Sequence, residues 1–342
     1  MATTFEDLVA IAREKKASDL YIVPGESPVL RVEGTLEVQS QLPAVTADDT
    51  ERMLADIATP EEQKIFRDAR ELDMSVVTKD GTHLRVNLNW ERRAVSVVAR
   101  LIASEIPSLE DQFMPEVSKS ILRATSGLVL ITGPTGSGKS SSLAAMVDYI
   151  NKERAEHIIT FEDPIEFIFK DKKSVIIQRQ LGTDVLSFAE GLKHAMRQDP
   201  NVIVVGEVRD PETMGAVLTL AETGHFVLAT LHTPNAVLAV NRIIDLFPPH
   251  QQEQVRISLA SVLTAVIAKL LLPRVVGGRI PAYEVLVNTP AVAGLIRENR
   301  VNQIQSSIET SGNQGMITME QALRALREAG EITQETFDGA VR

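Results

Sequence analysis

The chain has 342 residues and a formal net charge of −11 at neutral pH, with 44% hydrophobic and 24% charged residues. These values are typical of a globular protein, and the length suits two domains better than one. The negative charge argues against a general nucleic-acid-binding surface. Because the chain has no cysteine, disulfides and cysteine zinc sites are excluded. The N-terminus lacks the features of a signal peptide, so we expect a soluble, cytoplasmic protein.

The first hundred residues predict a small α+β domain, which we place at 1–104. Apolar residues at helical spacing indicate a helix over 5–16, and a polar helical stretch covers about 47–70. Asp80-Gly81 predicts a hairpin turn. Alternating or apolar runs predict short strands over 19–23, 29–32, 36–38, 83–89 and 94–102. A linker is expected over 105–112, where a proline disfavours helix in the residue before it.

The pattern then changes to alternating strands and helices, which predicts an α/β core over 113–275. Continuous apolar runs predict parallel strands that are buried on both faces, over 128–132, 157–161, 202–205 and 226–230. From about Pro249 onward the sequence is predicted to be mainly helical, with a turn at Gly277-Gly278. We therefore expect a mainly helical C-terminal region over 276–342.

Residues 133–140 match the phosphate-binding motif G-x-x-x-x-G-K-[ST], and they stand between a predicted strand and a predicted helix, as the motif requires. Backbone N–H groups of such a loop surround phosphate oxygens, and the helix N-terminus adds its positive end. We expect Lys139 to reach the β- and γ-phosphates and the Ser140 hydroxyl to bind Mg²⁺. The sequence therefore predicts a site for a nucleoside triphosphate, formed by Gly133, Pro134, Thr135, Gly136, Ser137, Gly138, Lys139, Ser140 and Ser141.

Hydrolysis also needs an acidic group that holds Mg²⁺ and orients water, and the predicted strand ends supply candidates. Glu162 follows one predicted strand and Glu207 follows another, and ligands bind at the carboxyl ends of strands in an open parallel sheet. Glu207 stands where a Walker B carboxylate is expected. His225 and His232 flank a third predicted strand and, when neutral, could position the γ-phosphate. Each of these residues, taken alone, is also compatible with a structural role.

Four motifs in this order resemble those of the secretion ATPase superfamily, whose members drive type II secretion and type IV pilus dynamics. They are the phosphate loop and the segments 161–167, 196–210 and 223–233. The short N-terminal unit with Ala17-Ser-Asp-Leu20 and the overall length are most similar to the pilus retraction branch. Extension and secretion motors of the superfamily usually carry a longer N-terminal region and a four-cysteine metal insertion.

The resemblance implies a homohexameric ring that hydrolyses ATP, with Mg²⁺, at sites between subunits. It implies a RecA-like core, a PAS-like N-terminal domain and no nucleic-acid partner. It also implies an indirect membrane association, through an inner-membrane pilus platform protein, at the cytoplasmic face. In the family's terms Glu207 is the Walker B glutamate that polarises water, and Glu162 is the acidic-box carboxylate. His225 and His232 form the histidine box.

Arginines are expected to compensate the charge that develops on the γ-phosphate, because a guanidinium stays charged and matches phosphate oxygens. Three arginines of the N-terminal domain resemble those that meet phosphates from an adjoining domain, namely Arg85, Arg93 and Arg100. Arg197 and Arg209, on either side of the predicted Walker B strand, are further candidates. We therefore expect the site to need a neighbouring subunit to be complete.

The chain departs from the family pattern at three places. Tyr21 stands in place of a histidine, and Asn201 stands in place of an aspartate beside the Walker B strand. In the C-terminal motif associated with retraction, Ala293 and Gly294 replace an arginine and an asparagine, and glycine weakens a helix. Pilus extension and secretion are therefore alternatives to retraction, and a RecA-like nucleic-acid motor is a third.

Overall fold

The computed structural model describes residues 4–32, 34–102 and 105–341. The chain divides into two compact units, Met1–Glu105 and Ile106–Arg342, and each contains its own sheet and hydrophobic core. The predicted domain limits at residues 1, 104 and 342 lie outside the described residues. The mixed α/β class is confirmed, whereas the PAS-like type of the first unit stays a prediction.

The N-terminal unit is built on a six-stranded antiparallel sheet in the order β3-β2-β1-β6-β5-β4. Its core lies between this sheet and the three helices. The elements are α1 (Phe5–Glu14), β1 (Asp19–Ile22), β2 (Val29–Val32), β3 (Thr35–Val38), α2 (Ala47–Ile57), α3 (Pro60–Ala69), β4 (Glu71–Val77), β5 (His83–Glu91) and β6 (Ala94–Leu101).

Threonine N-caps begin all three of these helices, and each forms a reciprocal capping box with an acidic residue three positions later. The predicted helical stretch over 47–70 is therefore divided, because Thr59 caps a new helix whose first residue is Pro60. Strand β4 was not predicted, although its Met74 and Val76 are buried on one face at the spacing of two that a strand requires.

The C-terminal unit has a seven-stranded sheet in the order β13-β12-β7-β11-β10-β8-β9, which is parallel except for β13. No helix in the described part of the chain is long and apolar enough to cross a membrane. The elements are α4 (Val117–Ile121), β7 (Gly127–Thr132), α5 (Lys139–Glu153), β8 (His157–Glu162), β9 (Val175–Gln180), α6 (Phe188–Ala195), β10 (Val202–Val205), α7 (Pro211–Glu222), β11 (Phe226–Leu231), α8 (Ala236–Asp245), α9 (Pro249–Val262), β12 (Leu263–Pro273), β13 (Arg279–Val287), α10 (Pro290–Arg297), α11 (Ile304–Thr310), α12 (Met319–Glu328) and α13 (Gln334–Ala340).

The prediction of a mainly helical chain from Pro249 onward is wrong for residues 263–287, which form β12 and β13. A continuous apolar run cannot by its periodicity distinguish a buried strand from a buried helix. The pairing of β12 with β7 decides the outcome, and β13 pairs with β12 in turn. The sheet of the core therefore extends beyond the predicted limit at residue 275.

The four predicted parallel strands are confirmed, and their registers align their carboxyl ends. Thr132 at the end of β7 lies opposite Leu231 at the end of β11. Val205 at the end of β10 lies opposite Ala229 on one side and Phe161 on the other. The segments that follow these strands therefore meet at one edge of the sheet, which is where ligands bind in such folds.

Two helical glycines provide a matched test of core packing. A Cβ atom at Gly191 in α6 would lie 2.6 Å from Cε1 of Phe161, whereas a Cβ atom at Gly294 in α10 would meet nothing within 4 Å. We expect Gly191→Ala to lower the free energy of unfolding by about 1–3 kcal/mol, because it overpacks the core. We expect Gly294→Ala to raise it by about 0.5–1 kcal/mol, because alanine favours helix. Chemical denaturation measures both, and a stabilising Gly191→Ala would contradict the packing.

Candidate active site

The phosphate loop connects β7 to α5, and glycines allow its path. Gly133 has a φ of +148°, and a Cβ atom there would lie 2.3 Å from the carbonyl oxygen of Lys269 and 2.7 Å from the Ser137 hydroxyl. Gly138 has a φ of +79° and forms the N-cap of α5. Both positions require glycine, since residues with a Cβ rarely adopt this backbone conformation. The loop thus ends at the N-terminus of α5, the end of a helix that favours an anion.

Two side chains of the loop fit phosphate oxygens. The buried Lys139 ammonium donates to the carbonyl oxygens of Gly133 at 2.8 Å and Pro134 at 3.1 Å. Burial lowers the pKa of Lys139, against the opposing charges of Glu207 and Glu166. Among the described residues, the buried Ser137 hydroxyl has no hydrogen-bond partner. Phosphate oxygens would supply the acceptors that this loop lacks.

Hydrogen bonds between threonines join the carboxyl ends of β7 and β11 beside the loop. The hydroxyl of Thr132, the last residue of β7, accepts the backbone N–H of Thr233 at 3.0 Å, and the two hydroxyls lie 2.6 Å apart. His232, between Leu231 and Thr233, is therefore held next to the loop. Its Nδ1 lies 3.4 Å from the Lys139 ammonium.

Glu207 lies at the centre of the polar contacts. One carboxylate oxygen is 2.9 Å from Nε2 of His232, and the other accepts a hydrogen bond from Arg209 at 2.8 Å. Burial raises the pKa of Glu207, but the hydrogen bonds from Arg209 and His232 outweigh it and lower the pKa overall. Glu207 is therefore an ionised carboxylate at neutral pH. His232 contacts both Glu207 and Lys139 of the phosphate loop.

Glu162 lies at the end of the neighbouring strand in a different environment. One of its oxygens accepts hydrogen bonds from Thr160 at 2.6 Å and from Gln178 of β9 at 3.0 Å. Burial dominates and raises the pKa of Glu162. Gly206 brings the two acidic strand ends close, because a Cβ atom there would lie 3.3 Å from Cα of Glu162. The two carboxylates therefore share one edge of the sheet with opposite pKa shifts.

Two predicted site residues do not reach this edge within the chain. His225 precedes β11, and its Nδ1 lies 3.0 Å from the carbonyl oxygen of Leu220. Arg197 lies in the segment before β10, and its guanidinium nitrogen Nη2 is 2.6 Å from Nδ1 of His194. The amino ends of these strands are separated from the phosphate loop by the strand length, about 20 Å for six residues. Within one subunit His225 and Arg197 therefore lie apart from His232 and Arg209, and their catalytic roles stay predictions.

The three N-terminal arginines are also divided by the structure. Arg85 and Arg100 are directly opposite each other on β5 and β6, and both are exposed. Arg100 donates to the buried Asp19 at 2.8 Å. Arg93 lies in the turn at the far end of this hairpin, with a φ of +72°. A single phosphate group can therefore meet the first two together, but not all three.

Sequence reasoning missed several residues that build the site. Thr132 and Thr233 had a signal, because each stands next to a predicted motif at a strand end. Gln178 and Lys269 had none, since their strands were not predicted.

No group of three or more His, Cys, Asp or Glu side chains in the described ranges could hold a metal ion. The half-buried Ser140, in the first turn of α5, is the loop's hydroxyl candidate for Mg²⁺.

Glutamine in place of each carboxylate is expected to change stability in opposite directions. Glu162→Gln keeps an acceptor oxygen for Thr160 and Gln178 and removes a charge that burial disfavours. We therefore expect a higher Tm than that of the wild type at about pH 8. Glu207→Gln removes a charge that its two partners stabilise, so we expect a lower Tm there.

The pH dependence separates the two effects. A raised folded pKa contributes stability that is complete below the unfolded value of 4.5 and is lost as the pH rises through the folded value. The advantage of Glu162→Gln therefore shrinks from about pH 8 to about pH 5. The lowered folded pKa of Glu207 contributes stability above about pH 4.5. The lower Tm of Glu207→Gln therefore persists at both pH values. Thermal unfolding of nucleotide-free protein measures the differences, and shifts of the same sign would contradict this electrostatic assignment.

Comparisons with known proteins show the family of the chain. A family model described as "Type II/IV secretion system protein" matches residues 2–276. The type IV pilus retraction ATPase PilT of Pseudomonas aeruginosa is 40% identical over 329 residues, which cover 96% of this chain and 95% of that protein. A protein named "Twitching motility protein" from Neisseria gonorrhoeae is 44% identical over 310 residues, which cover 90% of this chain and 83% of that one.

A solved structure extends the likeness to three dimensions. The crystal structure of the pilus retraction motor PilT with bound ADP superposes with a TM-score of 0.93 at 39% identity. The match covers 98% of this chain and 96% of that chain. The chain therefore belongs to the type II/IV secretion system protein family, in its branch of PilT-like type IV pilus retraction ATPases.

Proposed function

We propose that this chain hydrolyses ATP at the phosphate loop and uses the energy to retract type IV pili, working as a homohexameric ring. The observation that carries the hydrolytic part is the series of contacts from Lys139 through His232 to Glu207 and Arg209. Through these contacts the ionised carboxylate of Glu207 lies beside the phosphate loop. The relatives named for pilus retraction and twitching motility support the mechanical part.

The residues of the site divide the work of hydrolysis among them. Lys139 exchanges its loop carbonyls for phosphate oxygens, and the Ser140 hydroxyl would hold Mg²⁺ together with Glu207. A bound Mg²⁺ neutralises phosphate charge and orients the oxygens of the reacting group. The ionised Glu207 orients the attacking water, and its hydrogen bonds to His232 and Arg209 fix its direction. Glu162, which accepts hydrogen bonds from Thr160 and Gln178, supports this edge of the site.

The proposed ring is supported by what a single C-terminal unit lacks. Arg209 is already paired with Glu207, so it is only partly available to a phosphate. The exposed Arg85 and Arg100 lie opposite each other and, although Arg100 also donates to Asp19, they offer two guanidinium groups that suit phosphate oxygens. We infer that this pair approaches the nucleotide of a neighbouring subunit, and that Arg93 does not take part. His225 and Arg197, on the opposite edge of the sheet, have no role in the hydrolysis that we propose.

Mixed rings test this sharing of sites. Arg100→Ala and Lys139→Ala should each lower ATP hydrolysis by about a hundredfold, because each removes charge compensation at the γ-phosphate. In a mixture of the two variants, a ring contains interfaces between an intact phosphate loop and an intact arginine pair, so phosphate release should recover in part. Arg93→Ala is the matched control and should leave the rate unchanged. An unrecovered mixture would show that the arginine acts within its own subunit.

The proposed setting is the cytoplasmic face of the inner membrane, where a pilus platform protein is the expected partner. Nucleic acid is not an expected partner, in keeping with the net charge of −11. Pilus extension is the second candidate function. It is favoured by one observation, namely that Ala293 and Gly294 in α10 offer neither the cation nor the amide of the motif that the resemblance associates with retraction.

A gene deletion distinguishes retraction from extension. If the chain retracts pili, cells that lack it should carry more or longer surface pili and should lose twitching motility, because assembly continues without removal. Complementation with the wild type should restore the pilus number, and Glu207→Gln should not. Electron microscopy of surface pili gives the readout. Bald cells would instead assign the chain to extension.

A further inference from the structure

A buried lysine that the proposed mechanism does not use lies behind the phosphate loop. Lys269 is in β12, next to Ala268, which pairs with Thr132 at the end of β7. Its residue exposure is 2%. The carbonyl oxygen of Lys269 also leaves no room for a Cβ atom at Gly133. Lys269 is thus placed directly against the segment that holds the phosphates.

The ammonium group of Lys269 has a full set of hydrogen-bond acceptors, and all of them are neutral. It donates to the carbonyl oxygen of Gly138 at 3.1 Å, to the Ser142 hydroxyl at 2.8 Å and to the side chain of Gln112 at 2.8 Å. The ring of Tyr283 lies 5.5 Å away, and its hydroxyl donates to the backbone of Gln112. These contacts join the last glycine of the loop, the first turn of α5 and the segment near residue 112.

No carboxylate in the described ranges forms an ion pair with Lys269. Burial lowers the pKa of Lys269 to about 8, and no neighbouring charge opposes that shift. The titratable group that faces it, Tyr283, has a pKa raised by burial and stays neutral. An unpaired buried cation is costly, so a compensating anion is expected from elsewhere.

We propose that Lys269 is a positioning residue of the nucleotide site, whose ammonium braces Gly138 and the first turn of α5 and adds a second buried positive charge behind the phosphates. The inference rests on the proposed assignment of residues 133–140 as the phosphate site. Lys139 and Lys269 each donate to carbonyl oxygens of this one loop. A bound polyphosphate compensates both cations, and its affinity therefore depends on Lys269.

Binding of ADP and AMP to the full chain tests this role. Lys269→Met keeps the length of the side chain and removes its charge, and we expect it to raise the Kd for ADP about tenfold at neutral pH. AMP, with fewer phosphates, should lose less affinity. Tyr283→Phe is the matched control, because it removes a hydrogen bond to the same cluster and keeps the cation. Its Kd for ADP should stay close to that of the wild type.

A pH series separates charge from simple scaffolding. Because Lys269 loses its proton through about pH 8, wild-type affinity for ADP should fall between about pH 7 and pH 9 by more than that of Lys269→Met. Lys139 is present in both proteins, so the difference isolates Lys269. If Lys269→Met is unfolded, Lys269→Gln replaces it, since glutamine can keep one hydrogen bond.

The outcomes are distinct. An unchanged Kd with an unchanged pH slope in a folded variant would overturn the role of Lys269, even if the Tm fell. If the wild type bound no ADP, or if Lys139→Ala bound it as tightly as the wild type, the proposed phosphate site itself would fail. A tenfold weaker Kd with a flatter pH slope supports the inference.

Discussion

The site depends on the alignment of four parallel strands whose carboxyl ends meet at one edge. Pairing of β7 with β11, of β11 with β10 and of β10 with β8 fixes this alignment residue by residue. The hydroxyl of Thr132 then binds the backbone of Thr233 and holds His232 beside the phosphate loop. A shift by one residue would turn alternate side chains to the other face and separate these groups.

From this alignment follows the different chemistry of the two carboxylates. Glu162 is the last residue of β8, Glu207 follows the adjacent strand β10, and Gly206 allows those strand ends to approach closely. Glu207 faces a guanidinium and an imidazole and is stabilised as an anion, whereas Glu162 is surrounded by neutral donors and protein atoms. Neighbours, rather than the residue type, therefore shift the two pKa values in opposite directions, and the roles that we propose for the two acids rest on this difference.

Much of this could be predicted from the sequence, and the failures have physical causes. The phosphate loop and the parallel strands could be predicted because their signals are local. Glycines mark the loop, and continuous apolar runs mark the buried strands. The sequence could not place His225 relative to the ligand, because a motif shows that a histidine flanks a strand but does not show at which edge the ligand binds. Strand β12 was missed because its pairing partner is far away along the chain. Because β12 was not predicted, nothing in the sequence placed Lys269 beside the phosphate loop.

The role of Glu207 is tested most directly by ATP hydrolysis of Glu207→Gln, with nucleotide binding measured on the same sample. Glutamine keeps the size and an acceptor oxygen, but it cannot provide the anion that orients water. We expect the rate of phosphate release to fall by a factor of about 10²–10³, with the Kd for ATP within a few fold of the wild type. A rate equal to that of the wild type would contradict it and would remove Glu207 from the centre of the site.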